Sequence, residues 1–402
     1  DSALDKLARS RLSTVYMPGW KLTMLPDDVV QAYTLTAGRD CPALSVYFTV
    51  DEASLEIQSS ETRLERVPIV SNLRHDQLDA VVTEASLTGQ EAAGYAHAAE
   101  LAFAFRLAQT LKARREVVRG KPETFNRPDY NFKLDPHGAE PTGSERVSIT
   151  TRQRGAPLDL IVAEAMILAN SSWGGWLAEH GVPGIYRSQA SLLPGVKVRM
   201  GTRPAPHAGM GVPQYTWATS PLRRYVDLVN QWQIIACVRH GRTAALAAAF
   251  KPKDAALFSI ISGFDAAYAA YNDFQHGIER FWTLRWIEQN GLREIDAAVM
   301  KDGLVRAESL PLVFRVPGTE GFARGTHVRA RVTGIDLLTL DLHAQLLQRL
   351  DEPVTADDNA ADVDEEAETS GPLTLAIDLA EPADDAGAAG EPTADPGAPG
   401  AT

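Results

Sequence analysis

Cysteine is nearly missing from this chain of 402 residues: there are two, Cys41 and Cys237, far apart in sequence. They give no zinc spacing and no disulfide framework, so a reducing, cytoplasmic setting is the expectation. Long apolar runs are missing as well. None approaches the roughly 18 residues that a membrane helix needs, and no signal peptide is visible. There is no phosphate-binding glycine loop, no GxGxxG after a strand, no GxSxG elbow and no HExxH. The nine histidines are scattered without ligand spacing. Lysine and arginine are absent from residues 351–402, which hold fifteen Asp and Glu. The formal net charge of −13 therefore belongs to that tail, because the preceding residues carry all 39 basic side chains against 37 acidic ones. A nearly neutral body does not exclude a polyanion as ligand. The tail is rich in Ala, Pro, Gly and Asp and is expected to be disordered. It either solubilises the protein or competes with a polyanion for a basic channel.

With 45% hydrophobic residues the chain can bury one large core or two ordinary ones. It starts without methionine inside a helix-like "DSALDKLARSR" and reads as a piece of something longer. Residues 43–50, "ALSVYFTV", alternate at period 2 and are followed by "SLEIQSSE", a hairpin signature. Residues 86–118 carry one long helical pattern that stops near Gly120, and its basic end is either a solvated face or an RNA track. Residues 158–179 form an apolar, buried helix, and further helices run from Ser220 to about His240 and over roughly 264–289. From about 292 the texture turns to short strands, as in a small barrel-like module. The expected class is α+β: a mixed α/β body over 1–291, a β module over 292–350 and the tail over 351–402.

Two tempting sites are set aside. Asp27 and Asp28 follow a proline and precede an apolar run, which is where a helix start favours acids, so they read as first-turn residues rather than metal ligands. Asn170-Ser171-Ser172 matches a glycosylation sequon but lies inside an apolar helix. A third stretch is more informative. In "YTWATSPLRRYVDLVNQ", Ser220 is a good N-cap and Pro221 suits the first helical position. Arg223 and Arg224 then fall where the helix end is already positive. Either Arg223 pairs with Asp227 one turn on, or the helix N–H groups and a guanidinium fork face an anion such as phosphate. His207, Gly209 and Gly211 come shortly before, and the glycines would let backbone approach a ligand.

The stretch "HAGMGVPQYTWATSPLRRYVDLVNQ" resembles the signature of the ribonuclease II/R (RNB-domain) family. "LDKLARSRLSTVYMPGWKLTMLP", "PALSVYFTVDEASLE", "FNRPDYNF" and "LIVAEAMILAN" resemble other segments of that family in the same order, over about residues 1–240. The resemblance implies a hydrolytic 3′-to-5′ exoribonuclease that acts on single-stranded RNA and releases nucleoside 5′-monophosphates. It implies an α/β catalytic domain followed by an OB/S1-type module. Tyr16 and Phe125 would clamp stacked bases. Arg223 would stabilise the scissile phosphate, and Arg224 would be structural or a second phosphate contact. Ser220, Tyr225 and His207 would lie among the RNA-contacting residues. Glu164 matches a glutamate near the RNA end or anchors its helix.

This chain departs from the family pattern at several points. His75 stands where a tyrosine is expected, and it could hydrogen-bond a phosphate or leaving group. Gln189 stands where many relatives have His, and the stretch over 190–206 is short. The family's Mg2+-holding aspartates lie upstream of "LDKLARSR", so no metal ligand is assigned here and the chain alone is expected to be inactive. The alternative is a relative that binds RNA or protein without cutting.

Overall fold

The computed structural model describes residues 2–123, 128–136, 140–152, 155–193 and 195–350, apart from the side chains at 75 and 76. The architecture is α+β. The first helix, α1 (Ala3–Arg11), is capped by the Ser2 hydroxyl, which accepts from the Asp5 N–H at 3.1 Å. Asp5 lies in its first turn and Arg9 and Arg11 in its last, matching the helix dipole. A tight hairpin follows, β1 (Val15–Met17) and β2 (Trp20–Leu22), turning at Gly19 with φ +74°. Helix α2 (Asp27–Tyr33) has Asp27 and Asp28 in its first turn, the place read for them from sequence.

The expected hairpin is longer than its core signature. β3 (Arg39–Val50) pairs antiparallel with β4 (Ile57–Ile69), in register from Arg39 opposite Ile69 to Thr49 opposite Ser59, with a shift before Val50 opposite Ile57. Asp51 closes the turn by accepting from the Ala53 and Ser54 N–H groups. Leu44 and Val46 pack against a core that contains Trp173 and Leu177.

The single helix expected over 86–118 is divided. After α3 (His75–Leu78) comes a short α4 (Glu84–Leu87), fixed by a reciprocal Thr83–Ser86 capping box, and the long helix α5 runs only from Ala98 to Arg119. Gly89 and Gly94 lie between them, and glycine is a poor helix interior residue. Gly120 ends α5 in the left-handed conformation with φ +78°. Its basic residues mostly tie the chain together: Arg114 reaches the Ser54 and Leu55 carbonyls, Lys112 pairs with Glu116, and Arg119 reaches the Lys121 and Pro122 carbonyls.

Strands β5 (Asp129–Asp135) and β6 (Arg146–Arg152) form another hairpin. Helix α6 (Pro157–Glu179) is the apolar helix expected, and Asn170 within it is fully buried. Two three-residue strands, β7 (Tyr186–Ser188) and β8 (Arg199–Gly201), pair next. Helices α7 (Tyr225–His240), α8 (Ala244–Ala247) and α9 (Ala255–Gln289) follow. The main core joins α6, α7 and α9 through Ile167, Val226, Val229, Leu257, Ile260 and Phe264, with Trp217 and Ile185 from the intervening loops. Such close packing of apolar side chains supplies most of the fold's driving force.

The strand-rich end is one antiparallel sheet in the order β11-β10-β9-β12-β13. Its strands are β9 (Glu294–Val299), β10 (Leu304–Ala307), β11 (Val313–Arg315), β12 (His327–Asp336) and β13 (Asp341–Arg349). The edge strands β11 and β13 approach each other, so the sheet is curled. Its core takes in Leu284 and Ile287 from α9, beside Ile295, Val305, Phe314 and Val328. Helix α9 is therefore common to both cores. Along the way Tyr271 donates to the Arg11 carbonyl, and Arg280 donates to the carbonyls of Leu340 and Val313.

Candidate functional site

The arginine pair lies in a turn ahead of the helix, not in its first turn. Helix α7 begins at Tyr225, and Ser220 does not cap it. The Ser220 carbonyl instead accepts from the Arg223 and Arg224 N–H groups, which makes residues 220–224 a turn. Asp227 acts back on that turn. Its Oδ1 accepts from the Ser220 N–H at 2.9 Å and from Arg224 Nη2 at 2.8 Å, and its Oδ2 accepts from Arg224 Nε at 2.6 Å. Asp227 thus pairs with Arg224, three residues before it, rather than with Arg223. Residues 12–14 hold the turn from outside: Tyr225 N–H donates to the Leu12 carbonyl and Thr14 N–H to the Arg223 carbonyl.

That clamp brings the Tyr16 strand to the arginines across more than two hundred residues. Tyr16 N–H donates to Gln275 Oε1 on α9 at 2.8 Å, and the Tyr16 phenol acts electrostatically on Arg223. Arg223 is 8% exposed, and its pKa is lowered by burial and then by neighbouring Arg224. Arg224 shows the opposite shift. Burial lowers its pKa, but the Asp227 carboxylate outweighs that and holds it above the ordinary arginine value.

Trp217 is the platform of the cluster. The Arg224 guanidinium lies over its ring at 4.1 Å from the centroid, and that of Arg187 at 3.9 Å. A cation over an indole face is attracted by the ring quadrupole. Arg187 comes from β7, whose backbone is fixed by its N–H donating to the Tyr215 carbonyl. His207 meets Tyr215 edge-on at 5.9 Å, and its Nδ1 accepts from the Met210 N–H. Burial, then the charge of Arg187, hold the His207 pKa down to about 3, so the ring is neutral. Arg187 and Trp217 carried no weight in the sequence reading. Their only signal was position within "IYRSQ" and "YTWATS".

Glu164 takes the anchoring role. Arg115 of α5 donates Nε to Glu164 Oε2 at 2.9 Å, its Nη2 bonds Oε1, and its Nη1 donates to the Met210 carbonyl at 2.7 Å. With 1% exposure and both oxygens on Arg115, Glu164 joins α6 to α5, and Arg115 carries the link on to the 207–211 loop. Gly211, at φ +66°, lies so close to the Arg115 carbonyl that a Cβ would collide with it. Glu164→Gln should weaken this buried pair by about 1.5–3 kcal/mol, read as a lower urea midpoint with an unchanged slope. A midpoint equal to that of the parent protein would remove the clamp.

Tyr225 is 1% exposed and donates its hydroxyl to Asp5 at 2.6 Å, so it ties α7 to α1. Ser220 lies in the turn, its carbonyl accepting from the Arg223 and Arg224 N–H groups. Gln189 accepts from the Gly209 N–H and donates to the Val196 carbonyl, holding two loops together. Phe125 and the side chain of His75 lie outside the described residues. Arg223, Arg224, Tyr16 and His207 are brought to one region. Among the described residues no group of three or more His, Cys, Asp or Glu could hold a metal ion, so the residues present do not fit the Mg2+ site that the family implies.

This fold and this arginine turn define a member of the RNB-domain family. The RNB domain matches residues 1–194 and 192–240, well over half of the chain, and the chain belongs to that family. An uncharacterized ribonuclease of Synechocystis sp. is 26% identical over 333 residues, which are 77% of this chain and 46% of that protein. Exoribonuclease 2 of Haemophilus ducreyi is 25% identical over 293 residues, covering 57% of this chain and 43% of that protein. The chain thus spans about half the length of the curated relatives it matches. RNase R of Mycoplasma genitalium, solved with ribose-methylated single-stranded RNA, superposes with a TM-score of 0.70 at 14% identity, covering 86% of this chain and 64% of that one. Yeast Ssd1, a pseudonuclease, superposes with a TM-score of 0.54 at 16% identity over 83% of this chain and 47% of that one. At these identities the superpositions show a shared fold.

Proposed function

We propose that this chain holds single-stranded RNA for 3′-to-5′ hydrolysis to nucleoside 5′-monophosphates by the intact protein, with Arg223 on the scissile phosphate. The arrangement that carries the reading is the placement of Arg187 and Arg224 over Trp217 with Arg223 next to Arg224, where Asp227 is taken up by Arg224 and Ser220. Like charges held close in the interior repel, and Arg224 pushes the pKa values of both Arg187 and Arg223 down. A phosphate brought to the cluster would relieve that repulsion and receive a planar fork of donors. Tyr16, beside Arg223, would stack a base without reading its identity. The curled sheet over 292–350 would act as an OB/S1-type second RNA contact, with 1–291 as the catalytic body. The exoribonuclease relatives support the chemistry, and no described residue is assigned to the Mg2+ that the reaction would use.

Fluorescence anisotropy with a labelled oligo(A) across a salt series tests the binding. Arg223→Ala should cost about tenfold in affinity and flatten the log–log salt slope by about 0.7. An unchanged affinity and slope would take Arg223 off the RNA. A second reading, RNA binding without cleavage, is favoured by the fold shared with the pseudonuclease Ssd1. Release of nucleoside 5′-monophosphates by the intact protein in Mg2+ decides for the nuclease.

A further inference from the structure

Tyr16 stands on a strand with little of its own to hold it. β1 and β2 are three residues each, and a two-stranded ribbon that short is at best marginally stable alone. Its direction is set by what it leans on. At the turn, Gly19 lies so close to Leu134 of β5 that a Cβ would collide with that side chain. In the middle, the Tyr16 N–H donates to Gln275 Oε1 of α9 at 2.8 Å, across 259 positions of sequence. Tyr271, one turn earlier on α9, donates its hydroxyl to the Arg11 carbonyl at 2.9 Å. Positions four apart share a helix face, so one face of α9 grips the chain on either side of residues 12–14, the segment that holds the arginine turn.

The Gln275 bond replaces a missing strand. Tyr16 faces Lys21 across the hairpin, and residues of such a ribbon point their N–H groups alternately at the partner strand and away from it. The Tyr16 N–H points away, and among the described residues the sheet has only these two strands. Gln275 supplies the acceptor that a third strand would. Successive side chains of a strand leave on opposite faces, so fixing this N–H also fixes the side to which the phenol is turned. The phenol is half-buried and acts electrostatically on Arg223. The Gln275 amide is neutral and adds no negative charge where RNA is to pass.

We infer that Gln275 is the positioning residue for Tyr16: from α9 it fixes the strand so that the phenol stands beside Arg223, ready to stack a base next to the scissile phosphate. This rests on the reading of Tyr16 as a base-stacking residue. Gln275 acts through the Tyr16 backbone, not by touching RNA.

The test uses the full chain and oligo(A) in which 2-aminopurine replaces the 3′-terminal adenine or the one before it. Stacking quenches that base, and the position at which Tyr16→Ala restores emission reports Tyr16. Tyr16→Ala should cost about tenfold in affinity, the scale of one base–aromatic stack. Gln275→Met keeps the length and removes the acceptor. At saturating protein it should restore part of the emission that Tyr16→Ala restores, and its affinity should fall about threefold. Gln275→Glu returns an acceptor oxygen and should return the quench at saturation, although its charge weakens binding.

A double variant separates positioning from stability. In the Tyr16→Ala background Gln275→Met should change the affinity no further. It should still lower the melting temperature there, because alanine keeps the backbone N–H that loses its acceptor. A Gln275→Met protein with the parent's quench and affinity overturns the inference. So does an equal loss of affinity in both backgrounds, which is what a general loosening of the fold gives. If Tyr16→Ala itself leaves emission and affinity unchanged, the stacking reading of Tyr16 falls, and the positioning role with it.

Discussion

Asp227→Ala should lower stability by about 3–5 kcal/mol, because it leaves the Arg224 guanidinium, 3% exposed, as an uncompensated buried charge. The loss goes beyond one ion pair. The same carboxylate accepts from the Ser220 N–H, so its removal also loosens the turn that presents Arg223. Asp227→Asn keeps an acceptor and should fall between the parent protein and the alanine variant. Urea unfolding followed by far-UV circular dichroism measures both. A shift under about 1 kcal/mol for alanine would match a surface ion pair, and Asp227 would then not hold the turn.

Arg223→Lys should separate holding from cutting. Lysine keeps the positive charge, so oligo(A) affinity should stay within about threefold, but it cannot offer the planar fork to a phosphate gaining charge. Turnover in the intact protein should fall by about 10²–10³, the usual loss when one well-placed donor to a developing oxyanion is removed. Single-turnover cleavage of 5′-labelled oligo(A) at saturating enzyme reads the chemical step without the binding step. Equal rates for the two proteins would take Arg223 out of the reaction while leaving its role in binding intact.

Local chemistry made several elements legible. The apolar run of α6, the stop at Gly120, the first-turn acids of α2 and the alternation behind β3 and β4 all depend on neighbours within a few residues. The strand texture after residue 292 could be read, but strand order and curling could not, since they depend on which edges meet. The start of α7 misled for a related reason. Ser220 and Pro221 form a sound local start signal, yet Asp227 from inside the helix and the Leu12–Thr14 backbone from the other end of the chain satisfy the turn differently. Glu164 offered two readings from sequence because its partner, Arg115, is 49 residues earlier on another helix. Arg187 gave no periodic signal, and a guanidinium over an indole is visible only once Trp217 is placed beneath it.

Helix α9 is 35 residues long, so it extends about 50 Å as one rod. Leu257 to Phe264 are fixed in the first core, and Leu284 and Ile287 in the second. A rod fixed at both ends behaves like a keyed driveshaft. Deleting one residue between them would turn the far end by about 100° and draw it in by about 1.5 Å. The curled sheet would then face another direction with every strand of it intact. The angular setting between sheet and arginine turn is thus held as a count of residues along a helix, a quantity that substitutions leave alone and single-codon insertions or deletions would change.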